Sequence, residues 1–291
     1  MSERTLGHAS AAFAFALWGF FPLYFARLDA LAPPELLAWR IVCSVVTLAP
    51  IMLLRPGPRT LLARLGAPGQ LRLACLSSAL IGVNWLVFID AVTSGRVIET
   101  SLGYFLVPLV NSALGMLLFG ERPDPWRGAA IAVAAAGMLG AFAVSGALPL
   151  VSLLLAGSFG LYGAVRKGVA LDSATGLLFE TLLLAPFALL YLLLRGTSPA
   201  SLPPETLAWL LGSGALTLLP LFSVVVAARR IEMGTLGVYQ YIAPTMHLAF
   251  AITVFGEKLD AARAVALATT LAAVGLWSAG AWRGYRRGRA A

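Results

Sequence analysis

The sequence predicts an all-α integral membrane protein with ten transmembrane helices, arranged as two inverted five-helix repeats. Three observations predict this fold class. Of the 291 residues, 59% are apolar and only 12% are charged, whereas a soluble domain is about 45–50% apolar and about 25% charged. The mean hydropathy is +0.87. Apolar windows long enough to cross a bilayer recur along the chain, and two of them repeat one pattern at a distance of 136 residues.

The ten predicted spans are apolar windows that are separated by proline, glycine and charged residues. At about 20 residues per span they use about 200 residues, so the loops are short and no sizeable soluble domain remains. The polar start of the chain leads into an apolar stretch too long for the core of a signal peptide, so we expect an uncleaved first span. The approximate limits are 8–27, 34–54, 71–92, 98–119, 127–145, 148–166, 174–194, 207–228, 235–255 and 262–282.

The distribution of positive charge predicts the orientation of the chain. Lysine and arginine total 21 against 13 acidic residues, and they lie between the apolar runs instead of on one face, so we interpret them as topology signals and not as a nucleic-acid site. With both termini in the cytoplasm, fifteen positive residues lie inside and five lie outside. The sequence therefore predicts a multi-pass protein of the bacterial inner membrane, whose N-terminus and C-terminus are both cytoplasmic.

An internal repeat predicts how the spans are organised. The segment YFLVPLVNSALGMLLFGER (104–122) aligns with QYIAPTMHLAFAITVFGEK (240–258), which brings Pro108 onto Pro244 and Glu121 onto Glu257. Because each half holds five spans, the second copy enters the membrane upside down. Inverted repeats are common in secondary transporters, whose substrate site lies near the midplane where the repeats meet. We predict a first repeat over 8–145, a second, inverted repeat over 148–282, and a basic cytoplasmic tail over 283–291.

Seven segments, in order along nearly the whole chain, carry a family resemblance: LWGFFPLYF (17–25), ELLAWRIVCS (35–44), IGVNWLVFIDAV (81–92), ETSLGYFLVPLVN (99–111), LYGAVRK (161–167), TGLLFETLLLAP (175–186) and LGVYQYIAPT (236–245). The sequence resembles the drug/metabolite transporter superfamily in its two-times-EamA form, and more closely the RarD-type, chloramphenicol-sensitive-protein branch. The resemblance implies ten helices around a central cavity and export of small metabolites. Asp90 departs from the pattern, where an apolar or aromatic residue is usual.

Two helical stripes are candidates for the substrate site. Proline lacks an N–H, so each proline inside a span frees the carbonyl four residues earlier and kinks the helix. Polar side chains follow the spacing i, i+4, i+7 around two of these prolines, and we expect the stripes to face each other across the cavity. The alternative is that they hold the bundle together by interhelical hydrogen bonds. The stripes are Tyr104, Pro108 and Asn111, and Gln240, Pro244 and His247.

Charged residues inside spans usually face the bundle interior, where they find a partner. Arg40 lies about 9 Å deep at 1.5 Å per residue, and it differs in depth from Glu180 by roughly 12 Å in a core of about 30 Å. We therefore expect each to pair with polar groups of its own half. Arg40 is a candidate for binding a substrate carboxylate, with structural pairing as the alternative, and Glu180 and Asp90 are candidates for proton coupling.

Further candidates complete the predicted site. An amide near the midplane needs a partner, which favours a role for Asn84, while aromatic residues in spans are alternatively core or interface anchors. Glu121 and Glu257 follow Phe-Gly at helix ends, where a solvated end is the simpler interpretation and a gate or loop anchor is the alternative. The predicted substrate-binding set also holds Trp18, Trp85, Tyr162 and Tyr241, and the predicted kinks include Pro22 and Pro220.

We predict a secondary transporter that works by alternating access and exports a small, amino-acid-like or amphiphilic metabolite. The predicted partners are that small molecule, the lipid bilayer, and a proton or counter-substrate, without nucleic acid. The sequence has no G-x-x-x-x-G-K-[ST] phosphate loop and no H-E-x-x-H motif, so we predict no enzyme activity, metal or cofactor. The alternatives are a membrane-embedded enzyme or lipid-binding scaffold, and then a passive channel.

Overall fold

The computed structural model describes residues 2–53, 67–121, 125–171 and 173–290, and this part of the chain is helical without strands. A single turn of 3-10 helix (Pro199–Ser201) precedes α9. The α-helices are α1 (Glu3–Gly19), α2 (Phe21–Ala26), α3 (Pro33–Leu53), α4 (Gln70–Thr93), α5 (Val97–Phe119), α6 (Pro125–Ser145), α7 (Leu150–Gly168), α8 (Ser173–Arg195), α9 (Pro204–Ala228), α10 (Met233–Tyr239), α11 (Ile242–Thr253) and α12 (Ala261–Ala290).

Every predicted span falls on a helix or on a pair of short helices, with the first span covering α1 and α2. Among the described residues, seven helices are long and apolar enough to cross a membrane, with α1 and α2 counted as one. The other three predicted spans are less regular. Helix α3 carries Glu35 and Arg40 in its first half, α7 ends in Arg166 and Lys167, and the ninth span is divided into α10 and α11. The end of the second predicted span lies outside the described residues.

Polar contacts join helix ends into two groups, which we call the near end and the far end. At the near end, where the chain begins, Arg230 after α9 pairs with Glu3 at 2.7 Å. At the far end, the backbone N–H of Thr197, after α8, donates to the Glu35 carboxylate at 2.6 Å. Such contacts join the start of one helix to the end of another, so consecutive long helices run in opposite directions.

The helices pack in a network that crosses between the two halves of the sequence. Helix α6 packs along α12, α3 along α8, and α5 along both α7 and α11, while α9 packs against α1 and α3. Large apolar side chains also cover the outer surface, as at Leu117, Phe187 and Leu193, which are 79%, 72% and 83% exposed. A soluble protein rarely exposes so much apolar surface, so these faces suit contact with lipid.

Small residues allow the closest helix approaches. A Cβ atom on Gly160 of α7 would lie 2.6 Å from the side chain of Val110, so the missing side chain lets α5 and α7 pack closely. The tightest backbone approach is at Gly214 of α9, where a Cβ atom would overlap with the carbonyl carbon and oxygen of Cys43. Because backbone cannot rotate away, this contact fixes the distance between α9 and α3.

We predict that Gly214→Ala lowers the free energy of unfolding by about 1–3 kcal/mol, because the added methyl group forces α9 away from α3. Gly157→Ala is the matched control, since nothing lies within 4 Å of its Cβ position, and it should be neutral or slightly stabilising. The measurement is the melting temperature of the purified protein in detergent. Equal melting temperatures for the two variants would contradict the tight approach.

Candidate functional site

Arg40 of α3 lies in the interior, surrounded by aromatic rings. Its side chain is 4% exposed, and Nε donates to Oγ1 of Thr217 on α9 at 3.0 Å. The guanidinium carbon lies 4.3 Å from the ring centre of Trp85, and 5.5 and 5.6 Å from those of Phe21 and Phe25. Cation–π attraction stabilises the charge at such distances by about 0.5–2 kcal/mol.

No acidic group among the described residues balances this charge, since none lies within 4.0 Å of Arg40. The terminal nitrogens Nη1 and Nη2 also have no hydrogen-bond partner in the described part of the chain. The expectation that Arg40 pairs within its own half is wrong, because Thr217 belongs to the second half. The close packing of α9 on α3 at Gly214 brings Thr217 within reach.

Asn84 of α4 joins α4, α5 and α7, and it is 2% exposed. Its Nδ2 donates to the carbonyl oxygen of Leu155 at 3.1 Å and to Oγ of Ser158 at 3.0 Å. The hydroxyl of Tyr104 donates to Oδ1 of Asn84 at 3.3 Å. The amide therefore has the partners that its depth in the membrane predicts.

His247 of α11 is 2% exposed and has a partner at each ring nitrogen. Nε2 lies 3.1 Å from the carbonyl oxygen of Trp18, and since a carbonyl only accepts, Nε2 carries the proton. This carbonyl lacks its usual helical donor because Pro22, four residues later, has no N–H. Nδ1 lies 3.4 Å from Oγ1 of Thr100. The proline of one helix thus creates the acceptor that a histidine from the other half occupies.

Phe88 of α4 connects these groups. Its ring centre lies 6.4 Å from that of Phe21 and 6.1 Å from that of Phe25, beside Arg40. On the other side it lies 5.9 Å from Tyr104 and 5.6 Å from His247. We call the resulting group the central cluster. It consists of Phe21, Phe25, Arg40, Asn84, Trp85, Phe88, Tyr104, Thr217 and His247.

Glu180 of α8 belongs to a second polar group, and it is 1% exposed. Nε of Arg166 lies 3.3 Å from its Oε1, Ser77 donates to it at 2.8 Å, and the Tyr162 hydroxyl donates to it at 3.3 Å. Arg166, the last residue of the sixth predicted span, has a side chain that is only 14% exposed, and it neutralises Glu180. Phe159 links Tyr162 to the central cluster, with ring centres 6.0 and 6.2 Å from Tyr162 and Tyr104.

The two predicted stripes meet in part. Tyr104 and His247 are in ring contact, with centres 5.8 Å apart. Asn111 lies against α7, with its side-chain oxygen 3.4 Å from the Cβ position of Gly160, and Gln240 is exposed at the break between α10 and α11. Tyr241 stacks on Phe105 with ring centres 6.1 Å apart.

The remaining predicted residues lie away from the central cluster or at its margin. Asp90 forms a half-exposed ion pair with Arg96 at 2.5 Å. The carbonyl oxygen of Trp18 accepts the hydrogen bond from His247, and the Trp18 ring packs on Phe15. The helix is interrupted just before Pro22 and Pro244, whereas α5 and α9 continue through Pro108 and Pro220.

Glu257 has a role that the simpler interpretation of a solvated helix end missed. Its carboxylate accepts the backbone N–H groups of Val97 and Ile98, the latter at 2.9 Å, and so caps the start of α5 at the far end. Nearby, Arg263 lies 3.7 Å from Glu99. We call these two contacts the far-end latch. The duplicated Phe-Gly-Glu motif is the sequence signal that singles out this glutamate.

Comparisons with known proteins identify the family and support the fold. A family model described as the EamA-like transporter family matches residues 5–143. An uncharacterised transporter of Pseudomonas aeruginosa is 39% identical over 97% of this chain and 96% of its own. Protein RarD of Escherichia coli (strain K12) is 38% identical over 88% of each chain. A solved crystal structure matches with a TM-score of 0.57 over 95% of this chain and 97% of its own, at 18% identity, and this likeness concerns the fold alone.

We predict that His247→Leu lowers the free energy of unfolding by about 1–3 kcal/mol, because it leaves the buried carbonyl of Trp18 without a donor. His247→Gln is the matched variant, since its side-chain amide nitrogen reaches the position of Nε2 and retains most of the stability. The measurement is thermal unfolding in detergent. If both variants melt like the wild-type protein, the hydrogen bond to Trp18 does not contribute.

Proposed function

The chain belongs to the RarD-type branch of the EamA drug/metabolite transporter superfamily, and we propose that it is a secondary transporter that works by alternating access. The family makes it a multi-pass bacterial membrane protein that carries a small molecule. We further propose the inner membrane as its location, the near end as its cytoplasmic side with both termini there, and export as its direction. Export follows from the family resemblance alone.

Two inverted repeats are supported by the positions and contacts of the helices. A shift of 136 residues carries the first residue of α5 onto that of α10, and the first residue of α6 onto that of α12. The same shift relates α4 to α9 and α3 to α8, and it carries residues 14–26 of the α1–α2 segment onto residues 150–162 of α7. The helix packing follows the same repeat. The packing of α4 on α7 corresponds to that of α9 on α1, and the packing of α5 on α7 corresponds to that of α11 on α1.

The observation that carries alternating access is the unequal bonding of two equivalent glutamates. At the far end Glu257 caps α5, while the equivalent Glu121 at the near end lies 3.9 Å from both Arg127 and Lys167. By the repeat, the counterpart of the α5 start is the start of α10. We propose that the two ends exchange these arrangements, so that the far end opens when Glu257 releases α5 and the near end closes when Glu121 caps α10.

The central cluster supports a substrate site between the two halves. Arg40 of the first half bonds to Thr217 of the second, and His247 of the second half bonds to the Trp18 carbonyl of the first. Rocking of one half against the other therefore changes the surroundings of the cluster. The ion pair with Arg166 favours a structural role for Glu180 over a proton-carrying one, so we propose exchange against a counter-substrate.

A passive channel and a membrane scaffold predict different behaviour from a carrier in proteoliposomes. We expect that at least one labelled compound from a panel of amino acids, aromatic carboxylates and chloramphenicol accumulates transiently when the vesicles are preloaded with the same unlabelled compound. This counterflow requires a site that is exposed to one side at a time, and it should saturate with concentration. Trp85→Ala should abolish it, and Arg96→Gln, outside the central cluster, should not. Flux without saturation or counterflow indicates a channel, and no flux of any compound indicates a scaffold.

The far-end latch gives a second test. We predict that Glu257→Gln increases hydrogen exchange at the amides of Val97 and Ile98 by roughly 10-fold or more, because a charge-assisted hydrogen bond worth about 1.5–3 kcal/mol is lost. The matched variant is Glu121→Gln, which should leave exchange at these amides unchanged. Exchange is measured by mass spectrometry on peptides that cover the start of α5. An equal increase in both variants would contradict the latch.

A further inference from the structure

We propose that the central cluster binds the carboxylate of an amphiphilic organic monoanion through Arg40, which makes such anions, and not zwitterionic amino acids, the substrate class. The inference rests on the proposed function for the word substrate, but the binding site itself is independent of transport. It is carried by the charge, the free donors and the apolar surroundings of one buried arginine.

The charge of Arg40 lacks a counter-charge within the described protein. A centred arginine costs roughly 2.5–3.5 kcal/mol on insertion scales, and such residues are usually paired. Arg166, whose side chain is 14% exposed, has Glu180 at 3.3 Å. Arg40 has only the neutral hydroxyl of Thr217 and three rings. An anion that enters the cluster therefore finds a positive charge that no described carboxylate has neutralised.

The hydrogen-bonding capacity of Arg40 points to a carboxylate. Of the five N–H donors of a guanidinium, the described residues use only the one on Nε, and contacts with ring faces require none. The N–H groups on Nη1 and Nη2 remain, in a fork that matches the two oxygens of a carboxylate. Nη1 and Nη2 are not among the described side-chain atoms that are fully buried without a partner. They are therefore accessible to a ligand that enters the cluster.

The neighbouring groups select the rest of the molecule. Phe21, Phe25, Phe88 and Trp85 offer apolar surface, which suits an aromatic or branched aliphatic body. The polar groups of Asn84 and His247 already bond within the protein.

A zwitterion needs an acidic partner for its ammonium group as well. Two buried carboxylates already have partners in the described protein: Glu180 has Arg166, Ser77 and Tyr162, and Glu35 accepts the backbone N–H of Thr197. An ammonium group would therefore be desolvated in the central cluster without a described acid to receive it, which is costly. The site should consequently prefer a monoanion over an amino acid of the same size.

The test compares benzoate with two matched probes, benzamide and phenylalanine, on the full-length protein in detergent. Benzamide keeps the ring and the size but removes the charge, and phenylalanine adds an ammonium group. We expect benzoate to raise the melting temperature in a saturable way. We also expect benzoate to bind at least about 10-fold more tightly than either probe, because a charge-assisted bidentate pair raises affinity by about that factor or more. Equal binding of benzoate and benzamide, or tighter binding of phenylalanine, overturns the inference.

The variants assign the binding to Arg40. Arg40→Gln should weaken benzoate binding by roughly 10–100-fold, and Arg40→Lys should weaken it less, because an ammonium keeps the charge but loses the fork. Arg96→Gln is the control, since it removes an arginine outside the central cluster. If Arg40→Gln does not fold, two other measurements decide. They are benzoate binding by Arg40→Lys, and the stabilisation of the wild-type protein by benzoate compared with its stabilisation by sodium chloride. Stabilisation by chloride alone, with no added effect of benzoate, identifies an inorganic anion site and overturns the inference.

Failure of this inference and failure of the transporter proposal give different results. Benzoate binding that depends on Arg40, without counterflow of any compound, supports the anion site and overturns transport. Counterflow of a neutral or zwitterionic compound that does not depend on Arg40 supports transport and overturns the anion site.

Discussion

The structure depends on one constraint, which is that polar groups inside a bilayer must find their partners within the protein. Water is not there to accept or donate, so a buried polar side chain that bonds to another helix fixes the position of that helix. Asn84 joins three helices in this way, and Glu180 joins Arg166 of α7 to Ser77 of α4. The same constraint makes Arg40 conspicuous, because its terminal nitrogens have no described partner and no described acid lies within 4.0 Å of it.

Several of these partnerships join the two halves of the sequence. Because Pro22 has no N–H, the carbonyl of Trp18 in α1 lacks its helical donor. His247, more than two hundred residues later, supplies one. Thr217 approaches Arg40 because Gly214 lets the backbone of α9 lie against that of α3. These polar contacts therefore depend on the packing of small residues, because that packing sets the distances at which polar side chains from the other half can reach a buried group.

The sequence predicts the elements well and the partnerships poorly, for physical reasons. Hydropathy and proline positions locate helices because both act locally, and the predicted limits agree with helices throughout the described chain. The charge of Arg166 indicates the end of the sixth span in the sequence, but only the structure shows that this arginine pairs with a buried glutamate. The Trp18–His247 bond depends on three-dimensional approach, which spacing along one chain does not contain. The Phe-Gly-Glu repeat did single out Glu257, but only the structure identifies the N–H groups that it accepts.

The proposed repeat explains why a single charge can serve a substrate. Under the shift of 136 residues the counterpart of Arg40 is Gly176, and the guanidinium that lies on Gly176 belongs to Arg166. Both halves therefore hold a guanidinium beside equivalent positions of α3 and α8, one supplied by the helix itself and the other by α7. Glu180 neutralises the second cation, whereas the equivalent residue beside the first is Ser44, which carries no charge. An inverted duplication starts with two identical halves, and a site for one anion requires that this symmetry be broken. The fixed Arg166–Glu180 pair breaks it, and it leaves Arg40 as the cation that a ligand can neutralise.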